Sequence, residues 1–81
     1  MNELFEKAAN DAKELPSKPS NDVLLKMYAL YKQGTEGDVV GDRPVGFDFK
    51  AMAKYDAWAE EGGKSKEDAQ AEYITLIDSL K

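Results

Sequence analysis

Tyr28, Tyr31 and Lys32 stand at i, i+3 and i+4, so on a helix they share one face. Lys50 and Lys54 share a face in the same way further along the chain. Two aromatic rings beside one ammonium group, facing two more, make a chemically sensible cradle for a nucleotide. Ring faces stack on a base, and ammonium groups meet phosphate. On spacing alone the plainer reading is favoured, with tyrosines filling a core and lysines facing water. Other chemistries are scarce. His and Cys are both absent, which removes imidazole acid–base catalysis, most transition-metal sites and Cys–His or Ser–His nucleophiles. Sixteen acidic residues leave carboxylate chemistry open in principle but make chance carboxylate pairs common. No nucleophile–base pair can be identified. The expectation is binding without catalysis, with no metal and no resident cofactor.

The elements that must position these residues follow from periodicity. Phe5, Ala8, Ala9 and Ala12 recur at helical spacing. Asn2 is a candidate N-cap there, Glu3 and Glu6 suit the first turn, and Pro16 stops the helix. Ser20 is the second candidate cap, before a stripe of Leu24, Met27, Tyr28 and Tyr31 widened by Val23, Leu25 and Leu30. Gly34 is read as the end of that helix. Asp48 caps a third helix carrying Ala51, Tyr55 and Trp58, which stops at Gly62-Gly63. Ser65 with Asp68 resembles a capping box before Ala69, Tyr73, Leu76, Ile77 and Leu80. The fold class expected is all-α, a single domain over residues 1–81.

Between the second and third helices, Gly34 to Phe47 holds four of the six glycines and Pro44. A loop of that length in a small domain tends to be functional. Length also has a geometric use. The second helix, at about fifteen residues, is roughly 22 Å long, and the loop can span up to about 45 Å. It can therefore run back along the helix and let the third helix lie parallel to the second. The short connections at Pro16–Pro19 and Gly62–Lys64 favour antiparallel neighbours. The order implied is up-down-down-up, with a long overhand loop between helices two and three.

Charge narrows the partners. A net charge of −5 repels nucleic-acid backbones and anionic membranes. The first ten residues carry no hydrophobic signal core, and no run of eighteen apolar residues exists for a membrane span. A cytoplasmic monomer without a nucleic-acid partner and without stable membrane insertion is expected. Asp78-Ser79-Leu80 is the tripeptide on which acyl carrier proteins attach phosphopantetheine. There it opens the second helix mid-chain; here it ends the last one, a chance match.

The run Tyr28-Ala-Leu-Tyr31-Lys32-Gln33, then Thr35, Gly37-Asp38, Arg43-Pro44, Asp48-Phe49, Ala53 to Trp58, Ser65 to Ala69 and Tyr73-Ile74, resembles the acyl-CoA-binding protein family. Phe5 to Ala9 and Lys18-Pro19-Ser20 match it too, so the resemblance spans essentially the whole chain. It implies a four-helix bundle that binds medium- and long-chain fatty-acyl-CoA one to one, without catalysis, for transport and buffering. By the same resemblance Tyr28, Tyr31 and Lys32 hold the CoA head group, with Tyr31 stacking on adenine. Lys13, Lys50, Lys54 and Tyr73 join them. The acyl groove would include Phe5, Ala9, Leu24, Leu25, Met27 and Ala53, where small Ala9 and Ala53 leave room for an alkyl tail.

Two positions depart from the family pattern: Met52 where Lys is usual, and Tyr55 where Trp is usual. Trp58 is expected in the core. Arg43-Pro44 is expected to fix the loop's path, with a phosphate contact for Arg43 the lesser reading. The alternative function is a small helical protein–protein interaction module without a ligand. Retention of the aromatic–lysine set argues against it.

Overall fold

All four helices begin at a side chain that caps them. The structure is a computed structural model and describes residues 2–81. Helix α1 spans Glu3–Asp11 and runs on into a 3-10 turn at Ala12–Glu14; α2 spans Asn21–Glu36, α3 Phe49–Ala59 and α4 Lys66–Leu80. Asn2 accepts from the Leu4 N–H at 2.8 Å, and Ser20 from Val23 at 3.3 Å. Asp48 accepts from Ala51 and Ser65 from Asp68, both at 3.1 Å. These are the four caps expected from the sequence, each satisfying an N–H that the helix leaves open. Among the described residues, no helix is long and apolar enough to cross a membrane.

Three sets of contacts give the helix directions. Phe5 meets Tyr73 with ring centroids 5.3 Å apart, and Lys81 reaches Asp11 at 2.8 Å, so α1 and α4 run parallel. Gln70 donates to the Gly34 carbonyl at 2.8 Å, while Lys26 and Leu30 share a cleft with Leu76 and Ser79; α2 and α4 are antiparallel. Lys54 covers the ring of Tyr28 and Lys32 that of Trp58, so α2 and α3 are parallel. The order is up-down-down-up, as expected.

The second helix corrects one expectation. It does not end at Gly34 but continues to Glu36, and the cap is Gly37, whose φ of 81° suits glycine. The Gly37 N–H closes the last turn on the Gln33 carbonyl at 3.1 Å. Gly34 is glycine for a different reason. It is buried where α2 crosses α1 and α4, and a Cβ there would lie 3.0 Å from Gln70 Cγ and 3.2 Å from Phe5 Cζ. A packing glycine and a capping glycine look alike in sequence.

Phe5, Ala8, Leu30, Ala69, Tyr73 and Ile77 form the core, with Ala12, Leu15, Met27, Ile74, Leu76 and Leu80 packed around it. All come from α1, its 3-10 turn and the segment after it, α2 and α4. Helix α3 contributes no buried residue. Trp58 is therefore not the core residue expected; it is half-buried, and its Nε1–H donates to the Gly37 carbonyl at 2.8 Å. The polar edge of its ring has drawn it to the loop.

That loop, residues 37–48, runs back along α3 as its length suggested. Trp58 holds it at Gly37, and the Tyr55 hydroxyl donates to the Gly41 carbonyl at 2.9 Å. Arg43 forks onto Asp56 at 2.7 and 2.8 Å. The Arg43 side chain thus fixes the loop's path, and Tyr55 has a holding role of its own. Where the loop leaves α2, Asp38 accepts from Gln33 Nε2 at 2.8 Å and from the Gly63 N–H at 2.9 Å, and these bonds hold its carboxyl below the usual carboxylate range. The same Gln33 amide donates to the Lys64 carbonyl, tying α2 to the α3–α4 turn. Glu61 lies buried in that turn. Burial pushes its carboxyl up, but the ammonium groups of Lys26 and Lys64, each at 2.6 Å, outweigh this and leave it lowered.

Replacing Gly34 tests the close approach. Gly34→Ala gains about 1 kcal/mol of helix propensity but overpacks the junction at a cost of about 1–3 kcal/mol. Denaturant unfolding is expected to show a net loss of up to about 2 kcal/mol. A more stable variant would mean that Phe5 and Gln70 move aside freely.

Candidate functional site

Helix α2 separates two clefts that take up most of the expected site residues. The first, about 740 Å³, lies against α1 and is lined by Phe5, Glu6, Ala9, Asn10, Ala12, Lys13, Tyr31 and Tyr73. The second, about 390 Å³, lies in the seam between α2 and α3 and is lined by Lys18, Asn21, Leu24, Leu25, Tyr28, Lys50, Ala53 and Lys54. Tyr31 serves one cleft and Tyr28 the other, one helical turn apart. Each cleft combines apolar surface with at least one ammonium group. The residues expected for the head group and those expected for the apolar groove are thus found together in each of the two clefts.

In the first cleft three rings make a cluster. Tyr31 lies nearly flat on Phe5, with centroids 5.4 Å apart at 27°, and meets Tyr73 edge-on at 5.8 Å. Phe5 is fully buried, while Tyr31 keeps 37% of its surface exposed. Phe5 thus backs a ring whose remaining surface faces the cleft, which is the arrangement a flat aromatic ligand needs. Burial, with the neighbouring Tyr31 as a lesser cause, raises the Tyr73 phenol above its ordinary value. Ala9 and Ala12, on the α1 wall, leave the space that larger side chains would fill.

The second cleft is built by the parallel packing of α2 on α3. Leu24 and Leu25 form its apolar wall on α2, and Ala53 opens it on α3. Lys54 sits 5.3 Å from the centroid of the Tyr28 ring, a cation–π contact that holds the ammonium group at the rim. Lys50 is exposed one turn earlier.

Two expected residues lie in neither cleft. Met27 is half-buried and packs against the core; it precedes Leu30 and Gly34 on the face of α2 turned to α1 and α4. The structure places its side chain against the core. Lys32 is turned to the end of the helix, where its ammonium group lies 2.6 Å from Glu36 and 5.5 Å from the Trp58 ring centroid. The bond to Glu36 raises the Lys32 ammonium above its ordinary value. Lys32 and Lys54 consequently cover different rings at successive turns of the seam.

The structure also brings to the clefts residues that the sequence analysis did not assign to the site. Glu6, Asn10 and Ala12 line the first cleft, and Lys18 and Asn21 the second. Glu6 and Asn10 lie one turn apart, a faint signal. Lys18 and Asn21 frame the start of α2 and carry no periodic signal, because only the fold brings them to α3.

Comparison with known proteins agrees with this architecture. A family model described as acyl-CoA-binding protein matches residues 2–77. The acyl-CoA-binding protein of Saccharomyces cerevisiae is 50% identical over 80 residues, covering 99% of this chain and 92% of that one. Acyl-CoA-binding protein homolog 1 of Caenorhabditis elegans is 51% identical over 76 residues, or 94% of this chain and 88% of that one. The crystal structure of acyl-CoA-binding protein 2 from Oryza sativa superposes with a TM-score of 0.92 at 49% identity, covering 96% of this chain and 87% of the other. The solution structure of the yeast protein gives a TM-score of 0.77 at 50% identity, covering 99% and 93%.

The pairing of Lys32 can be tested without a ligand. In Glu36→Gln the carboxylate that raises the Lys32 ammonium becomes a neutral amide, so the Lys32 pKa should fall toward the ordinary lysine value. Titration of the isotope-labelled lysine Nζ by NMR reads this directly. An unchanged Lys32 would show that Glu36 does not hold it in solution.

Proposed function

The chain belongs to the acyl-CoA-binding protein family, and we propose that it is a non-catalytic carrier that binds fatty-acyl-CoA esters of medium and long chain length. On this reading it takes one ligand per monomer and buffers and transports it in the cytoplasm. The observation that carries the proposal is the pair of clefts flanking α2, each joining apolar surface to aromatic rings and ammonium groups. Acyl-CoA has the matching parts: a flat base, phosphates and an alkyl tail. The half-exposed Tyr31, backed by Phe5, is the proposed platform for adenine. Leu24, Leu25 and Ala53, with Phe5 and Ala9, are the proposed apolar contacts of the tail.

Electrostatics must be local for this to work. A chain of net charge −5 repels a polyanion at long range. Among the described residues, Lys13, Lys50 and Lys54 enter none of the ion pairs. Lys32 has only its exposed partner Glu36. An exposed ion pair is worth about 0–1 kcal/mol, whereas a hydrogen bond to a charged group is worth about 1.5–3 kcal/mol. Exchange of Glu36 for a phosphate therefore favours the ligand. The tail supplies the rest: at about 0.8 kcal/mol per buried methylene, a palmitoyl chain offers up to roughly 11 kcal/mol before association costs.

Calorimetric titration across a series of acyl-CoA lengths is the test. Affinity should rise with length, and equal affinity for acetyl- and palmitoyl-CoA would remove the apolar contacts from the account. The same mixtures, followed over time, should release free CoA no faster than buffer does; faster release would revive an enzymatic reading.

Tyr31→Ala should weaken palmitoyl-CoA binding by about 1–3 kcal/mol, the range for loss of one base–aromatic stack. A thermal melt separates this from damage to the ring cluster. A variant that melts early yet binds normally when cold would make Tyr31 a structural residue.

A further inference from the structure

Scattered apolar side chains on a surface are ordinary, but here they collect on one connection. Val40 and Val45 of the loop are each 85% exposed, Phe47 is 94% exposed, and Phe49 at the start of α3 is 68% exposed. Phe47 and Phe49 meet edge to face with centroids 6.5 Å apart. The first half of the connection, residues 37–43, is fastened to α3: Trp58 donates to the Gly37 carbonyl, Tyr55 to the Gly41 carbonyl, and the Arg43 side chain donates to Asp56. Gly46, with φ of 91°, turns the chain between Val45 and Phe47. The connection is thus anchored to α3 over residues 37–43 while its large apolar groups stand in water.

A second copy of the chain is a poor occupant for this surface. Four such side chains expose on the order of 500 Å², short of the about 800 Å² per partner of a standard interface. Two chains of net charge −5 also repel each other. A lipid surface of no net charge has neither objection. It needs no matched shape, and apolar side chains enter its acyl boundary individually. Lys50, exposed beside Phe49 and without an ion-pair partner among the described residues, is placed to reach headgroup phosphate while its stem lies on apolar surface.

We propose that the α2–α3 loop docks this chain on the surface of a zwitterionic lipid bilayer, with Val40, Val45, Phe47 and Phe49 entering the acyl boundary. The purpose assigned to the docking rests on the carrier reading. Phe49 and Lys50 lead straight into the α2–α3 cleft lined by Lys50, Ala53 and Lys54. A chain docked by this loop holds the mouth of that cleft at the lipid surface, where the tail of an acyl-CoA partitions.

Flotation of the ligand-free chain with phosphatidylcholine vesicles tests the proposal. The wild-type chain should float with the vesicles, and Val45→Ser combined with Phe47→Ser should lower its partition coefficient at least about ten-fold. Both positions are exposed and lie outside the clefts, so the double variant should keep the wild-type melting temperature and its solution affinity for octanoyl-CoA. Replacing part of the phosphatidylcholine with phosphatidylserine should weaken flotation at low salt, since the chain is acidic. Wild-type protein that stays in the aqueous phase overturns the proposal, as does a double variant that floats equally well. Sedimentation showing a dimer that the double variant loses would overturn it in favour of a second copy. Flotation of a chain that binds neither octanoyl- nor palmitoyl-CoA in vesicle-free solution would leave docking standing and sink the carrier reading instead.

Discussion

Helix α3 has no buried side chain, so its position depends on the connection that returns along it. Three side chains of α3 take hold of that connection: Trp58 at Gly37, Tyr55 at Gly41 and Asp56 at Arg43. Beyond this fastening, α3 meets α2 through Ala53 and Ala57 and through the contacts of Lys54 with Tyr28 and of Lys32 with Trp58. The parallel seam, the cleft within it and the exposed loop face all follow from the same strap. A simple up-and-down bundle would not need it, because short turns would set the helix directions.

The rest of the molecule is organised around a different junction. Phe5, Gly34 and Gln70 meet where α1, α2 and α4 converge, and the missing side chain at Gly34 admits the Phe5 ring. That ring is both the centre of the core and the floor beneath Tyr31. Stability and the first cleft therefore share Phe5, as they share Tyr73. The second cleft, by contrast, owes its shape to α3 and the strap. The molecule divides into a well-packed three-helix body and a fourth helix held by polar fastenings, and the proposed ligand site uses both.

Charge is distributed with the same economy. Acidic groups that serve the fold are engaged: Asp38 with Gln33 and Gly63, Asp56 with Arg43, Glu61 with Lys26 and Lys64. Lysines at the cleft rims, Lys13, Lys50 and Lys54, are left for other partners, while Lys32 is held by Glu36. An acidic chain can thus offer local positive sites without reversing its overall sign.

Periodicity and capping chemistry alone determined the four helices, because Asn2, Ser20, Asp48 and Ser65 act through N–H groups no more than three residues away. The up-down-down-up order was likewise legible, since loop length limits which helices can be parallel. The aromatic–lysine pattern was visible as well, although its meaning came from the family resemblance and not from spacing. What the sequence could not decide were contacts between residues far apart in the chain. Gly34 reads as a helix stop because its true constraint comes from Phe5 and Gln70. Trp58 reads as core because its partner, the Gly37 carbonyl, exists only once the loop has folded back. Met27 reads as a groove residue until α1 and α4 claim its face of α2. Lys32 shares a face with the two tyrosines, and the fold adds Glu36 and Trp58 as partners of its ammonium group. Local signals place helices, whereas the side on which a residue faces its neighbours is settled by which helices close over it.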